Sequence, residues 1–323
     1  MAGAIMKAII TGATSGLGRN LLEFLVAKNW QIIAFGRNET IGRELGVEFY
    51  AFDLSDKALT KKYFQKADVV FHCAALSSPW GEYDNFYQAN VVATENVLEA
   101  MSDYGINKII HVSTPSIYFN FQDQFNIQEE FISPHFVNHY AATKYMAEQR
   151  VLNSSIHSVV IRPRAIFGEY DNVLLPRLEK IARKGFMPLI KNKQTVVDVT
   201  YVGNVVYALY LAAINDVPTK SVFNITNDQP MEISQIFSMV IKTLKLNAKF
   251  KYVHYPLLYS VATLLEGIAK LGLIAEPFLT RYSIGVISKS QTLDISKAKK
   301  ILGYQPIYSI EEGLERYAKH RNL

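Results

Sequence analysis

The sequence predicts a doubly wound α/β protein: a parallel sheet with helices on both faces, followed by a smaller C-terminal portion. Three observations carry that expectation. Short apolar runs rich in β-branched residues alternate with helix-period segments through the first half of the chain. A glycine-rich turn closes the first run and opens a helix. Beyond about Gly168 the alternation loosens, and prolines at 176, 188, 218, 230, 256 and 277 punctuate shorter elements. At 323 residues, 49% hydrophobic, the chain has enough apolar mass for one large α/β unit or two closely joined domains.

Taken in order, strands are read at residues 7–11, 31–35, 47–51, 69–73, 108–113 and 158–162. Helices fall at 16–28, 84–104 and 139–153. Alternation of this kind predicts right-handed crossovers and a ligand crevice at the carboxyl ends of the strands. Ser309 followed by Glu312 has the form of a capping box, so a final helix is expected to run to about His320. Residues 256–275 form the most apolar stretch of their length, but Thr263, Glu266 and Lys270 recur at helical spacing. That pattern reads as an amphipathic helix rather than a membrane span.

Charge and cysteine content narrow the classes further. A net charge of +5 and a pI near 9.0 suit an anionic ligand, yet the cations are scattered, which argues against nucleic acid. The single cysteine, Cys73, allows no internal disulfide and no zinc-ligand set. A reducing, cytoplasmic setting and no metal site are therefore expected. The first apolar stretch, from Ile5 to Ile10, is short and runs into the glycine turn, so it reads as a buried strand rather than a signal peptide.

Thr11-Gly12-Ala13-Thr14-Ser15-Gly16-Leu17-Gly18 stands between the first strand and the first helix. Glycines let the backbone turn tightly and approach a pyrophosphate, whose charge is met by the helix N-terminus. This is the Rossmann-type dinucleotide arrangement. A fold selecting NAD usually ends its second strand on an acid that binds the ribose hydroxyls; here Gly36 and Arg37 stand instead. A guanidinium binds a 2′-phosphate bidentately, so NADP(H) is preferred and NAD(H) is the alternative. Arg19 is a second candidate for that phosphate. Asp53 and Leu54, after the third strand, suit the adenine amino group and ring.

Tyr140 and Lys144 lie one helical turn apart, on one face. A free tyrosine titrates near 10, and an adjacent ammonium favours phenolate, easing proton exchange near neutral pH. With 19 tyrosines, about one such spacing is expected by chance. Tyr104 and Lys108 supply it, but Gly105 and the following strand place that pair across a helix-to-strand junction. Tyr140 also follows Ser113-Thr114, which ends a strand where catalytic groups of open α/β sheets gather.

These motifs resemble an extended short-chain dehydrogenase/reductase from end to end. The matching stretches are TGATSGLG, Asp53-Leu54, His72-Cys-Ala-Ala75, Asn90-Val-Val-Ala-Thr94, HVSTPSIY, YAATK, Arg162-Pro163, Ile166-Phe167-Gly168, Tyr201-Val-Gly-Asn204 and Leu302-Gly-Tyr-Gln-Pro306. The resemblance implies that Ala74 and Ala75 line the dinucleotide, that Lys144 holds the nicotinamide ribose, and that backbone around Pro163 and Ile166 faces the carboxamide. It places Thr114 on the position of the catalytic serine or threonine, with Ser113 and Ser116 as near alternatives, and gives Asn90 a structural role. It also implies a dinucleotide domain over residues 1–169, with 194–228 returning to it, and a mainly substrate-binding domain over 170–323. One departure is the TGxxxGxG spacing of shorter family members, where extended members more often carry TGxxGxxG.

Within that group the chain is similar to the 3β-hydroxysteroid dehydrogenase branch and to bacterial 2-alkyl-3-oxoalkanoate reductases. Ala74-Ala75 leading to Pro79-Trp80-Gly81, Ser113-Thr-Pro-Ser116, Ala147-Glu-Gln-Arg150 and Arg162-Pro-Arg164 carry that likeness. It implies reduction of a hydrophobic ketone with Tyr140, Lys144 and Thr114 as catalytic groups, no membrane span, peripheral membrane association and a homodimer as options. Apolar and aromatic residues over 255–273 and 278–282 suit a greasy substrate or ordinary core helices. Arg164, Arg177 and Arg281 are candidates for a substrate carboxylate. The alternatives are a nucleotide-sugar epimerase or dehydratase that recycles NAD, and a non-catalytic NADP-binding regulator.

Overall fold

The computed structural model describes residues 5–322; the outermost ends of the two expected domain spans, residues 1–4 and 323, lie outside it. Seven parallel strands build the main sheet: β1 (Lys7–Thr11), β2 (Gln31–Gly36), β3 (Glu48–Ala51), β4 (Val69–His72), β5 (Lys108–Val112), β6 (His157–Pro163) and β7 (Ser221–Ile225). Their order is β7-β6-β5-β4-β1-β2-β3. The chain steps outward from β1 to β3, then crosses back to lay β4 against the other side of β1. That reversal opens a crevice at the carboxyl ends of β1 and β4.

Both faces of the sheet are covered, which is why its central strands are uninterrupted apolar runs. Ala8, Ile9 and Ile10 of β1 are fully buried, as are Val69, Val70 and Phe71 of β4. Helix α1 (Gly16–Ala27) buries Gly18, Leu21, Leu22 and Leu25, the spacing of one helical face. It shares its core with the helix Val202–Ile214. On the opposite face, the helices Ala93–Asp103 and His139–Leu152 contribute Val97, Met101 and Val151 to a second core.

The single helix expected over 84–104 is broken into Tyr83–Phe86, a wide π-type turn over Tyr87–Val92, and Ala93–Asp103. The extra residue in that turn faces Asn90 inward, where it is 1% exposed. Two short helices that the hydrophobic pattern does not announce, Glu39–Arg43 and Lys57–Tyr63, are each started by a side-chain cap, from Asn38 and Asp56.

The later elements gather around a separate core of Phe167, Leu175, Met187, Phe237, Leu314 and Tyr317. The final helix, Ile310–His320, begins at the expected Ser309–Glu312 box. The helix Tyr255–Lys270 departs from expectation: it buries only Ala262 and Glu266, while Leu257 and Leu264 are about two-thirds exposed. It is not a core helix, and of its polar stripe Thr263 and Lys270 are exposed while Glu266 is buried. The reason is an ion pair, since Glu266 accepts from the backbone N–H and Nε of Arg281, each at 2.7 Å. That pair ties it to the helix Arg281–Ser288. Among the described residues, no helix is long and apolar enough to cross a membrane and no cluster of side chains could hold a metal ion.

Candidate active site

The glycine turn lies at the crevice end of β1. Gly12 sits at φ +71°, and a Cβ there would stand 2.9 Å from the Ala74 backbone, so the turn rests directly on the segment that follows β4. The Ala74 N–H donates to Thr11 Oγ1 at 3.1 Å. A Cβ on Gly18 would meet the Gly12 carbonyl oxygen at 2.3 Å, which is how closely α1 approaches the turn. Ser15 caps α1 without a side-chain bond, the first turn carries no acid, and the space over Gly16 is open. Unclaimed N–H groups at a helix N-terminus with room above them fit a pyrophosphate. One donor is claimed: Gly16 N–H bonds the Tyr170 carbonyl at 3.2 Å.

Thr14 packs beside Gly36, where a Cβ would stand 2.6 Å from its methyl group. Arg37 is 72% exposed and reaches only Asp53, at 3.9 Å. Burial works against the Asp53 charge, but the Ser55 N–H and hydroxyl, with Arg37, hold its carboxyl below the usual carboxylate range. Leu54 is 9% exposed. Arg19 does not join this group, because its guanidinium lies 4.1 Å over the Tyr170 ring and 3.3 Å from Glu23.

Asn90 links the two sides of the crevice. Its Oδ1 accepts from Leu76 N–H at 2.7 Å and its Nδ2 donates to Thr143 Oγ1 at 3.0 Å, so the segment after Ala75 is tied to the helix that carries Tyr140 and Lys144. A further chain runs from Thr11 through His72 to Thr94 at 2.8 and 2.9 Å. Burial pushes His72 down to about 3, so its ring is neutral. Burial likewise pushes the Cys73 thiol up to about 12, which makes it chemically inert.

The helix His139–Leu152 starts at Asn138, whose side chain accepts from Ala141 N–H at 2.8 Å. Its first turn brings the Tyr140 hydroxyl to Thr114 and Ser77, with Tyr282 beside them. Burial raises the phenol above its ordinary value against the opposing influence of the Thr114 and Ser77 hydroxyls. Lys144 Nζ donates to the Val112 carbonyl at 2.6 Å. Burial pushes Lys144 down to about 8 while Glu148 pulls the other way.

Thr114 Oγ1 donates to Ser116 Oγ at 3.1 Å, and Ser116 Oγ is hydrogen-bonded to the Tyr282 hydroxyl at 2.9 Å. Thr114 is held as the cap of the turn Pro115–Tyr118. Ser113 Oγ is buried with no partner. Pro163 ends β6, and Ile166 follows in the short strand Ile166–Phe167, so both stand at the same sheet end. Sequence reasoning missed Ser77 and the place of Tyr282, whose partner Ser116 is 166 residues away in the chain. No local signal marks either.

A dinucleotide cradle beside a tyrosine, a threonine and a lysine at the strand ends defines a class, the NAD(P)-dependent oxidoreductases acting on alcohols and carbonyls. Comparison with known proteins agrees. Residues 8–226 match the NAD dependent epimerase/dehydratase family. Two relatives are the uncharacterized protein YbjS of Escherichia coli (strain K12), 35% identical over 97% of both chains, and a 2-alkyl-3-oxoalkanoate reductase of Shewanella oneidensis, 32% identical over 98% of this chain and 86% of that one. UDP-glucose 4-epimerase of Thermotoga maritima, solved with UDP-glucose, shares the fold at TM-score 0.78 and 23% identity, with 98% of this chain and 99% of that one covered. The chain belongs to the NAD-dependent epimerase/dehydratase family, within the extended short-chain dehydrogenases/reductases.

Proposed function

We propose that this oxidoreductase uses NADPH to reduce the 3-oxo group of a hydrophobic substrate, such as a 2-alkyl-3-oxo acid or a 3-oxosteroid, to the alcohol. The observation that carries the reading is the Tyr140 hydroxyl, kept protonated by burial and set against Thr114 and Ser77. The glycine turn, Leu54, Ala74, Ala75, Pro163 and Ile166 would hold the dinucleotide, which supplies the hydride when bound. Arg37, exposed and 3.9 Å from its nearest acid, is free to meet a 2′-phosphate.

The residues divide the remaining work. The Thr114 hydroxyl donates to the ketone oxygen as negative charge develops there. Tyr140 gives that oxygen its proton, which a phenol held neutral is well placed to do. Lys144, anchored on Val112 one helical turn after Tyr140, would hold the ribose hydroxyls of the dinucleotide with its remaining protons. The similarity to an oxoalkanoate reductase supports this choice of substrate.

Loss of absorbance at the reduced nicotinamide band, with NADPH against NADH over a panel of 3-oxo acids, 3-oxosteroids and sugar nucleotides, tests the reading. NADPH-dependent turnover of the oxo compounds is expected. Tyr140→Phe should lower kcat by about 100- to 10,000-fold with NADPH binding retained. Protein that retains NAD through purification and turns over a sugar nucleotide overturns the proposal, as does a Tyr140→Phe variant of full activity.

A further inference from the structure

Two arginines stand two positions apart at the crevice end of β6, and their surroundings are opposite. Arg162, 3% exposed, is bonded through all three nitrogens: Nε and Nη2 donate to the two carboxylate oxygens of Glu148, and Nη1 donates to the Tyr118 hydroxyl and the Glu129 carbonyl. Arg164, 8% exposed, has a buried Nε with no hydrogen-bond partner. No carboxylate comes within ion-pair distance of it among the described residues, whereas Arg162 and Arg281 are each paired. The acid that acts on it, Asp198, is itself pushed up to about 6 by burial and accepts from the Leu293 N–H at 2.7 Å. A buried guanidinium without a partner is costly, and its planar fork matches a carboxylate in two parallel bonds.

Arg164 also shares a neighbour with the catalytic groups. Its titratable neighbours are Tyr282 and Asp198. Tyr282 is the residue that stands beside Tyr140 and hydrogen-bonds Ser116, next to Thr114. The residue before Arg164 is Pro163, one of the proposed cofactor contacts. The other two arginines considered for an anion are less apt: Arg281 is held by Glu266 at 2.7 Å, and Arg177 is half exposed and near Glu276.

We propose that Arg164 is a specificity-determining residue that binds a carboxylate carried by the substrate, so that the preferred ligand is an anionic oxo acid rather than a neutral ketone. This deepens the reductase reading and rests on it. The partner that Arg162 finds in Glu148, Arg164 receives from the ligand, and Tyr282 neighbours both Arg164 and Tyr140.

The test pairs a freshly prepared 2-alkyl-3-oxo acid with its methyl ester, in the parent and in Arg164→Gln and Arg164→Lys. In Arg164→Gln, KM for the acid should rise on the order of 100-fold, because one partner of a buried charged pair is lost. Its kcat/KM for the ester should stay close to that of the parent, and Arg164→Lys should recover part of the acid preference. Binding is read separately, as the melting temperature of NADP-saturated protein with and without a 2-alkyl-3-hydroxy acid: raised in the parent, unmoved in Arg164→Gln. Without ligand, Arg164→Gln should melt no lower than the parent, since the substitution removes an unpaired buried charge. Equal losses on acid and ester, or a marked fall in unliganded melting temperature, overturn the arginine assignment alone. A parent that reduces neither compound yet is stabilised by the hydroxy acid overturns the reductase reading and leaves the anion site standing. A parent that does neither overturns both.

Discussion

At Lys144 two effects oppose each other, and their balance sets a pH dependence. Burial disfavours the ammonium and pushes it down to about 8, while Glu148 and the Val112 carbonyl, 2.6 Å away, retain it. Below that pH the amine is charged; above it the charge is lost. The kcat/KM for ketone reduction should therefore be level at lower pH and fall about tenfold per unit above pH ~8, since it reports ionisations of the free enzyme. A pH–rate series checks this, and a profile level to about pH 10 would deny Lys144 its charged role. Stability moves the opposite way. An unfolded lysine titrates near 10.4, so the unfolded chain binds more protons between about 8 and 10.4, and the cost of burying Lys144 is recovered as pH rises through that window.

Among the elements, the contact between α1 and the glycine turn is the tightest in the dinucleotide cradle. A methyl on Gly18 would stand 2.3 Å from a backbone oxygen that has no room to yield. Gly18→Ala should cost about 2 kcal/mol by overpacking. It should also weaken NADPH binding, because the turn and the helix N-terminus must separate. Gly267→Ala is the matched control: a Cβ there meets nothing within 4 Å, on a helix largely exposed. It should stabilise the protein by about 0.5–1 kcal/mol, because alanine loses less freedom than glycine in a helix. Denaturant titration of both variants decides the matter, and a common sign would refute the steric account.

Across the whole molecule, one buried network joins the sheet to the segments around it. Arg162 on β6 grips Glu148 on the helix His139–Leu152 and donates to Tyr118, which donates to Asn224 of β7 at 2.8 Å. Asn224 in turn donates its side-chain amide to the Ile127 carbonyl at 2.9 Å and its backbone N–H to Glu129 Oε1 at 2.8 Å. Arg162→Met would leave Glu148, fully buried, without its counter-charge. A loss of about 3–5 kcal/mol is expected. The double variant Arg162→Met with Glu148→Leu should regain most of it, measured as denaturation midpoints. If the double variant is as unstable as the single one, the uncompensated charge is not the cause.

Six of the seven sheet strands, the three long helices of the first half and the final capping box were legible in the chain, because each is stated by local physics: period, turn residues and caps. The glycine turn and Tyr140 with Lys144 were legible for the same reason, as short-range spacings. The two short helices at Asn38 and Asp56 carried cap signals but too few residues for a period. The inward turn of Asn90, the burial of Glu266 against Arg281 and the meeting of Ser116 with Tyr282 were decided by the tertiary structure. They pair residues far apart in sequence, and no local pattern encodes which distant side chain a polar group will find. The doubly wound sheet was thus determined by the sequence alone, through alternation repeated along the chain. The difference between Arg162 and Arg164 was not: two identical side chains acquire opposite characters only when folding gives one a carboxylate and leaves the other without one.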